Sequence, residues 1–292
     1  MLTGRHLIAR IQGQPLHTGL FVDKTCDIGR VENVHWNPWF CQRVPFMRHQ
    51  LTYGRAFLVA RSDWEYFFNT FAFGYSIGYH FIESADGACN GNFLGIGKPL
   101  PTTSNPQPTT HNPQPTTHYP QPATHNPQTG MDMATNASVL VEAVQPMGLL
   151  ITNGEFTAFA SPDWLDPSII DQFQPMHVKV LPGNTGSVRF ANSAFWGPAN
   201  QTAGVQGTGL VGFNGCTFNY WDGGGTGMYA LVARGNISLL VQGRDFQMAC
   251  ATKCNHVQLQ EVTGNMLQGE FKVDNKATSD PSRVQIALNV HN

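Results

Sequence analysis

Val188-Arg189-Phe190-Ala191-Asn192-Ser193-Ala194-Phe195 runs from apolar residues through a small or amide residue to an aromatic. The same order stands earlier in Leu150-Ile151-Thr152-Asn153-Gly154-Glu155-Phe156 and later in Val211-Gly212-Phe213-Asn214-Gly215-Cys216-Thr217-Phe218. Weaker copies follow in Leu240-Val241-Gln242-Gly243-Arg244-Asp245-Phe246 and Met266-Leu267-Gln268-Gly269-Glu270-Phe271. From Phe156 onward the closing aromatics fall 39, 23, 28 and 25 residues apart, the range in which one supersecondary unit stacks on the next. Each unit is too short to bury its own apolar face and must stack on neighbours, and its apolar residues come in strand-sized runs. A strand-only solenoid follows, with about three short strands per coil, coils ~4.8 Å apart and equivalent positions in ladders. The Asn or Gly ahead of each aromatic suits the bend between two strands, because both residues tolerate left-handed backbone angles.

Composition narrows the function. Among 292 residues only 12% are charged, with Lys+Arg 17 against Asp+Glu 19, so no basic surplus exists to neutralise nucleic-acid phosphate. No apolar run approaches the ~20 residues needed to span a bilayer, which predicts no membrane insertion. The start, Met1-Leu2-Thr3-Gly4-Arg5-His6, has neither the basic opening nor the apolar stretch of a secretory signal. The chain enters almost at once into strand-like Leu7-Ile8-Ala9-Arg10-Ile11, Gly19-Leu20-Phe21-Val22-Asp23 and Gly29-Arg30-Val31-Glu32-Asn33-Val34. That beginning predicts an open-ended piece of a longer solenoid, truncated at its N-terminus.

One segment stands apart. Residues 101–130 carry the tandem TTSNPQP, TTHNPQP, TTHYPQP, ATHNPQT, whose prolines forbid helix and central strand and whose composition offers little to bury. It reads as a disordered insertion into a single domain spanning 1–292. His111, His118 and His125 recur within it without a preorganised geometry, so no metal site is expected there. Six cysteines, among them Cys250-Ala251-Thr252-Lys253-Cys254 with no second Cys/His pair at zinc spacing, give no metal framework either. No cofactor motif is present: the run Gly223-Gly224-Gly225-Thr226-Gly227 lacks the phosphate-loop and dinucleotide spacings.

Chemistry is sought in the irregular early coils. Asn33-Val34-His35-Trp36-Asn37-Pro38-Trp39-Phe40 and Arg61-Ser62-Asp63-Trp64-Glu65-Tyr66 set tryptophans beside polar groups, a composition suited to stacking on sugar rings. On an extended strand Asp63 and Glu65 would share one face ~6–7 Å apart with Trp64 on the other. That separation is near the one at which glycosidases hold a general acid and its base or nucleophile. Glu155 and Asp245, each just ahead of a ladder aromatic, belong to a discontinuous outer row of acids and are further catalytic candidates. Trp221 beside the glycine run joins His35, Trp36, Trp39 and Trp64 as a substrate-binding candidate.

Gly19 to Asp23, Asp27 to Trp36, Asp63-Trp64-Glu65-Tyr66 and the later coils resemble the pectate-lyase-like superfamily of right-handed parallel β-helix proteins, and more narrowly its glycoside-hydrolase-like members. The likeness covers most of the chain outside residues 101–130. It implies an all-β solenoid acting on an extracellular polysaccharide, in a secreted or cell-surface setting. Hydrolysis of glycosidic bonds is the leading expectation. The alternatives are a polysaccharide lyase acting on a uronate polymer and a non-catalytic carbohydrate-binding or structural β-helix, adhesin-like or tailspike-like.

Overall fold

Stacked rings lock the coils together. Phe156, Phe195 and Phe218 stand in register on successive parallel strands, with centroids 5.1 and 5.6 Å apart and nearly parallel planes. A second column holds Phe190 on Phe213 at 5.2 Å and, earlier, Phe67 on Phe93 at 4.6 Å. These distances match the ~4.8 Å rise between hydrogen-bonded strands, so the coil spacing that satisfies the backbone also stacks the rings. The two columns meet edge to face, as Phe190 and Phe195 do at 5.5 Å and 73°. All of these rings are 0–1% exposed.

The computed structural model describes residues 3–95, 129–158, 175–196, 199–219, 221, 229–234 and 237–242, together with the strands Asp245–Gln247, Asn255–Val262, Lys272–Asp274 and Gln285–Val290. The chain is predominantly β, and the pairings between its strands are parallel, forming three ladders up a solenoid-like stack beside the short pair of Thr3–Gly4 and Thr25–Cys26. The first ladder runs from Leu7–Gly13 through Arg30–Trp36, Ser62–Phe68, Cys89–Leu94, Leu149–Thr152, Ser187–Ala191 and Leu210–Asn214 to Ser238–Gln242. The second begins with the end of Arg30–Trp36 and continues through Phe71–Phe73, Thr129–Asp132, Gly154–Thr157, Ala194–Trp196, Thr217–Asn219 and Asp245–Gln247 to Lys272–Asp274. The third is a sheet of nine strands from Thr18–Val22 to Gln285–Val290.

The bend between the first and second ladders is a column of left-handed residues. Arg10, Asn33, Asn69, Asn153, Asn192 and Gly215 occupy it with φ of 50–63°. The amides also link coils: Asn69 Nδ2 donates to Asn33 Oδ1 at 2.6 Å. The Asn153 N–H reaches the Ala191 carbonyl at 2.9 Å, and the Asn192 N–H reaches that of Asn214 at 2.8 Å. Asn at these bends therefore tolerates φ > 0, and at Asn33 and Asn69 it also supplies a side-chain hydrogen bond along the stack.

Two features depart from the sequence reading. The register sets Val273 on Phe246, so Val273 and not Phe271 continues the aromatic column; Phe271 lies outside the described residues, as does most of the Pro/Thr/His/Gln insertion. The solenoid is also not strand-only. A helix, Val44–Tyr53, is inserted between Arg30–Trp36 and Arg55–Val59, with a proline in its first turn and Met47, Gln50 and Leu51 buried. Its apolar contacts recur at helical spacing, and Phe73 and Met133 receive Met47 and Leu51. Gln50 Nε2 donates to the Gly74 carbonyl at 2.8 Å, and Thr135 Oγ1 donates to the Leu51 carbonyl at 2.5 Å, fastening the excursion to the stack.

Candidate functional site

At the corner where the third ladder passes into the first, the strand Ser62–Phe68 carries a β-bulge. Cys89 pairs with Ser62 and Gly91 with Glu65, so Asp63 and Trp64 together face the single residue Asn90. Asn90 Oδ1 accepts the Trp64 N–H at 2.7 Å, and Trp64 holds φ of 58°. A bulky residue at positive φ is a costly outlier, and such strain concentrates where a side chain is being aimed. Here it aims the indole outward: Trp64 is 47% exposed.

Polar groups brace the same bulge. Arg61 grips Asp63 with two parallel hydrogen bonds, Nη1 to Oδ1 at 2.5 Å and Nη2 to Oδ2 at 2.7 Å. Gln145 Nε2 adds a bond to Asp63 Oδ1 at 2.9 Å and one to the Ala88 carbonyl at 2.8 Å, while Asn90 Nδ2 donates to Gln145 Oε1 at 2.6 Å. The Arg61 guanidinium, and secondarily Gln145, hold the Asp63 carboxyl below the usual carboxylate range against the opposing effect of burial. Asp63 therefore stays ionised at neutral pH and offers acceptor oxygens, not a proton. Both members of the pair remain partly open to solvent, at 19% and 28%.

The bulge also corrects the expected carboxylate pair. Strand alternation is broken at Trp64, so Asp63 stays at the surface while Glu65 points inward at 0% exposure. Glu65 Oε2 accepts Ser62 Oγ at 2.6 Å, Ser62 accepts Thr25 Oγ1 at 2.7 Å, and Glu65 Oε1 lies 3.1 Å from His6 Nε2. Gly29 gives this cluster room, since a Cβ there would sit 2.4 Å from Glu65 Oε2. The carboxylate stands between hydroxyl and imidazole, so the imidazole is not placed to take the Ser62 proton as it does in a nucleophilic triad. Burial raises the Glu65 carboxyl above its ordinary value, opposed by Ser62 and His6.

The other candidates disperse. Glu155 is half-buried on the outer side of the second ladder, between Gly130 and Ala194 in register. Asp245 stands three coils further along that column, and the side chain of Asp245 lies outside the described residues. Three coil steps are ~14 Å, beyond the ~5–9.5 Å used by glycosidase carboxylates, so these two acids do not form a pair. His35 Nε2 is 3.1 Å from the Asn69 carbonyl, and its ring meets Phe71 edge-on at 6.3 Å. Trp36 is 6% exposed and packs near Phe57, and Trp221 is 1% exposed, so both are core residues and not open stacking platforms. Trp39 is 59% exposed, but it lies after the second ladder, over Phe73 at 5.3 Å, and does not join the corner of Trp64.

The structure thus gathers Trp64 and Asp63 with Arg61, Gln145 and Asn90, three residues the sequence reading had not selected. Arg61 could have been found, because it lies two positions before Asp63 in a segment already singled out. Gln145 and Asn90 carried no local signal; they arrive from later coils. Comparison of the chain with protein-family models, with curated proteins and with solved structures found no match.

Proposed function

We propose that the chain is a right-handed parallel β-helix of the pectate-lyase-like type that binds an extracellular polysaccharide at the Trp64 corner without cleaving it. The observation that carries this reading is the strained, outward-facing Trp64 beside the bidentate Arg61–Asp63 pair. An exposed indole takes the apolar C–H face of a sugar ring, and the half-open carboxylate and guanidinium are suited to adjacent hydroxyls. Hydrolysis would need a protonated acid within reach of Asp63. Glu65, the expected partner, is enclosed on the opposite side of the strand.

The test is retention by a panel of neutral and acidic polysaccharides in affinity electrophoresis, with reducing-end and unsaturated-sugar assays on the same mixtures. Wild type is expected to be retarded by at least one polymer with neither product formed. Trp64→Ala is expected to weaken that binding by roughly tenfold or more, equivalent to ~1.4 kcal/mol. Retention unaffected by Trp64→Ala would refute the site. New reducing ends that disappear in Asp63→Asn would restore the hydrolase reading.

A further inference from the structure

Exposed aromatics are concentrated in one place. Trp39, Phe40, Phe46 and Tyr53 are 59, 66, 41 and 58% exposed, and all come from the excursion between Trp36 and Arg55. The helix Val44–Tyr53 spends its inward face on Met47, Gln50 and Leu51, which leaves Phe46 and Tyr53 turned from the coil, with Trp39 and Phe40 just ahead of its first turn. A run of exposed rings this dense on a soluble surface marks an interaction site. Its charge is one-sided: from Asn33 to Ser62 there is no Asp or Glu, and Arg43 and Arg48 are exposed within the same excursion.

We propose that this excursion docks peripherally on a bilayer leaflet containing anionic phospholipid. Trp and Tyr favour the headgroup level, where the ring meets acyl chains and its polar atom stays hydrated. A short helix with apolar rings and an arginine on its outer side, and a second arginine just ahead of it, lies in the interfacial plane, with the basic residues drawn to the negative surface. No helix among the described residues is long and apolar enough to cross a membrane. The one-sided charge selects an anionic surface over a neutral one. This surface is distinct from the Trp64 corner, and its test does not depend on polysaccharide binding.

Co-sedimentation of the full chain with phosphatidylcholine vesicles, and with vesicles of phosphatidylcholine and phosphatidylserine, decides the matter. Partitioning onto the phosphatidylserine vesicles is expected to be at least roughly tenfold stronger and to fall as salt is raised. Trp39→Ala/Phe40→Ala should lose it, and Arg43→Glu, at an exposed position, should weaken it roughly tenfold. Circular dichroism checks that both variants remain folded. Equal partitioning onto both vesicles, no partitioning, or partitioning indifferent to both variants would overturn the proposal. So would a dimer in vesicle-free sedimentation velocity that Trp39→Ala/Phe40→Ala dissociates, which would assign the patch to a second copy of the chain.

Discussion

Glu65→Gln separates a buried structural carboxyl from a catalytic one. In the folded chain burial lifts the Glu65 carboxyl above the ordinary value of 4.5, so the folded state holds its proton more tightly than the unfolded chain does. Stability contributed by that difference is fully present below the ordinary pKa and is lost as pH rises through the raised one. Over that window the slope is at most ~1.4 kcal/mol per pH unit. Glutamine keeps an oxygen for the Ser62 hydroxyl and presents an N–H toward His6, while removing the charge. Glu65→Gln should therefore be at least as stable as wild type at neutral pH and lack this part of the slope. Glu65→Leu leaves the buried Ser62 hydroxyl and the His6 ring without their acceptor and should fall below Glu65→Gln by about 1–3 kcal/mol. Urea midpoints for the three proteins, taken from about pH 4 to about pH 8, measure both quantities. An unchanged pH profile in Glu65→Gln, or a Gln variant less stable than the Leu variant at neutral pH, would refute the account of this cluster.

Asp63 titrates with the opposite sign: its carboxyl is held low by Arg61, so its stabilisation is present above the ordinary carboxylate pKa and is lost as pH falls through the depressed value. Arg61→Ala should reduce that acid-side loss in a urea titration, and a profile identical to wild type would contradict the pairing. At the bend column, the exposed Asn192 with φ of 50° should tolerate glycine within ~0.5 kcal/mol, whereas Asn192→Ala should cost ~1 kcal/mol. Equal urea midpoints for the two variants would show that the left-handed bend does not govern that position. Phe195, fully buried between Phe156 and Phe218, should lose about 3–5 kcal/mol on Phe195→Ala, read as a lowered urea midpoint, while a loss below ~1 kcal/mol would mean that the stacked column is not rigid.

The regular coils were legible because one residue pattern must satisfy three local demands at once. Val188 and Phe190 point inward, Asn192 turns the chain, and Phe195 returns to the core, so the alternation and the amide mark the bend without any distant contact. The strands read near the start coincide with Leu7–Gly13, Thr18–Val22 and Arg30–Trp36 for the same reason. The helix escaped because its inward residues, Met47, Gln50 and Leu51, include a polar one satisfied by groups distant in sequence, the Gly74 carbonyl and the Gln14 amide. Trp36 and Trp221 were misplaced because a tryptophan's composition does not reveal whether a wide coil can hold it.

Sequence alone determined the architecture's repeat: strand-sized apolar runs, left-handed amides at bends and rings at coil spacing are local properties that stack because no single coil can bury its own face. Tertiary structure alone decided the site. Asp63 and Glu65 are two residues apart in the chain, and only the pairing of Ser62 with Cys89 and Glu65 with Gly91 inserts the bulge that sends one to the surface and the other into the core. Register between coils is a sum over contacts distant in sequence, so the face each acid occupies cannot be read from the acids themselves.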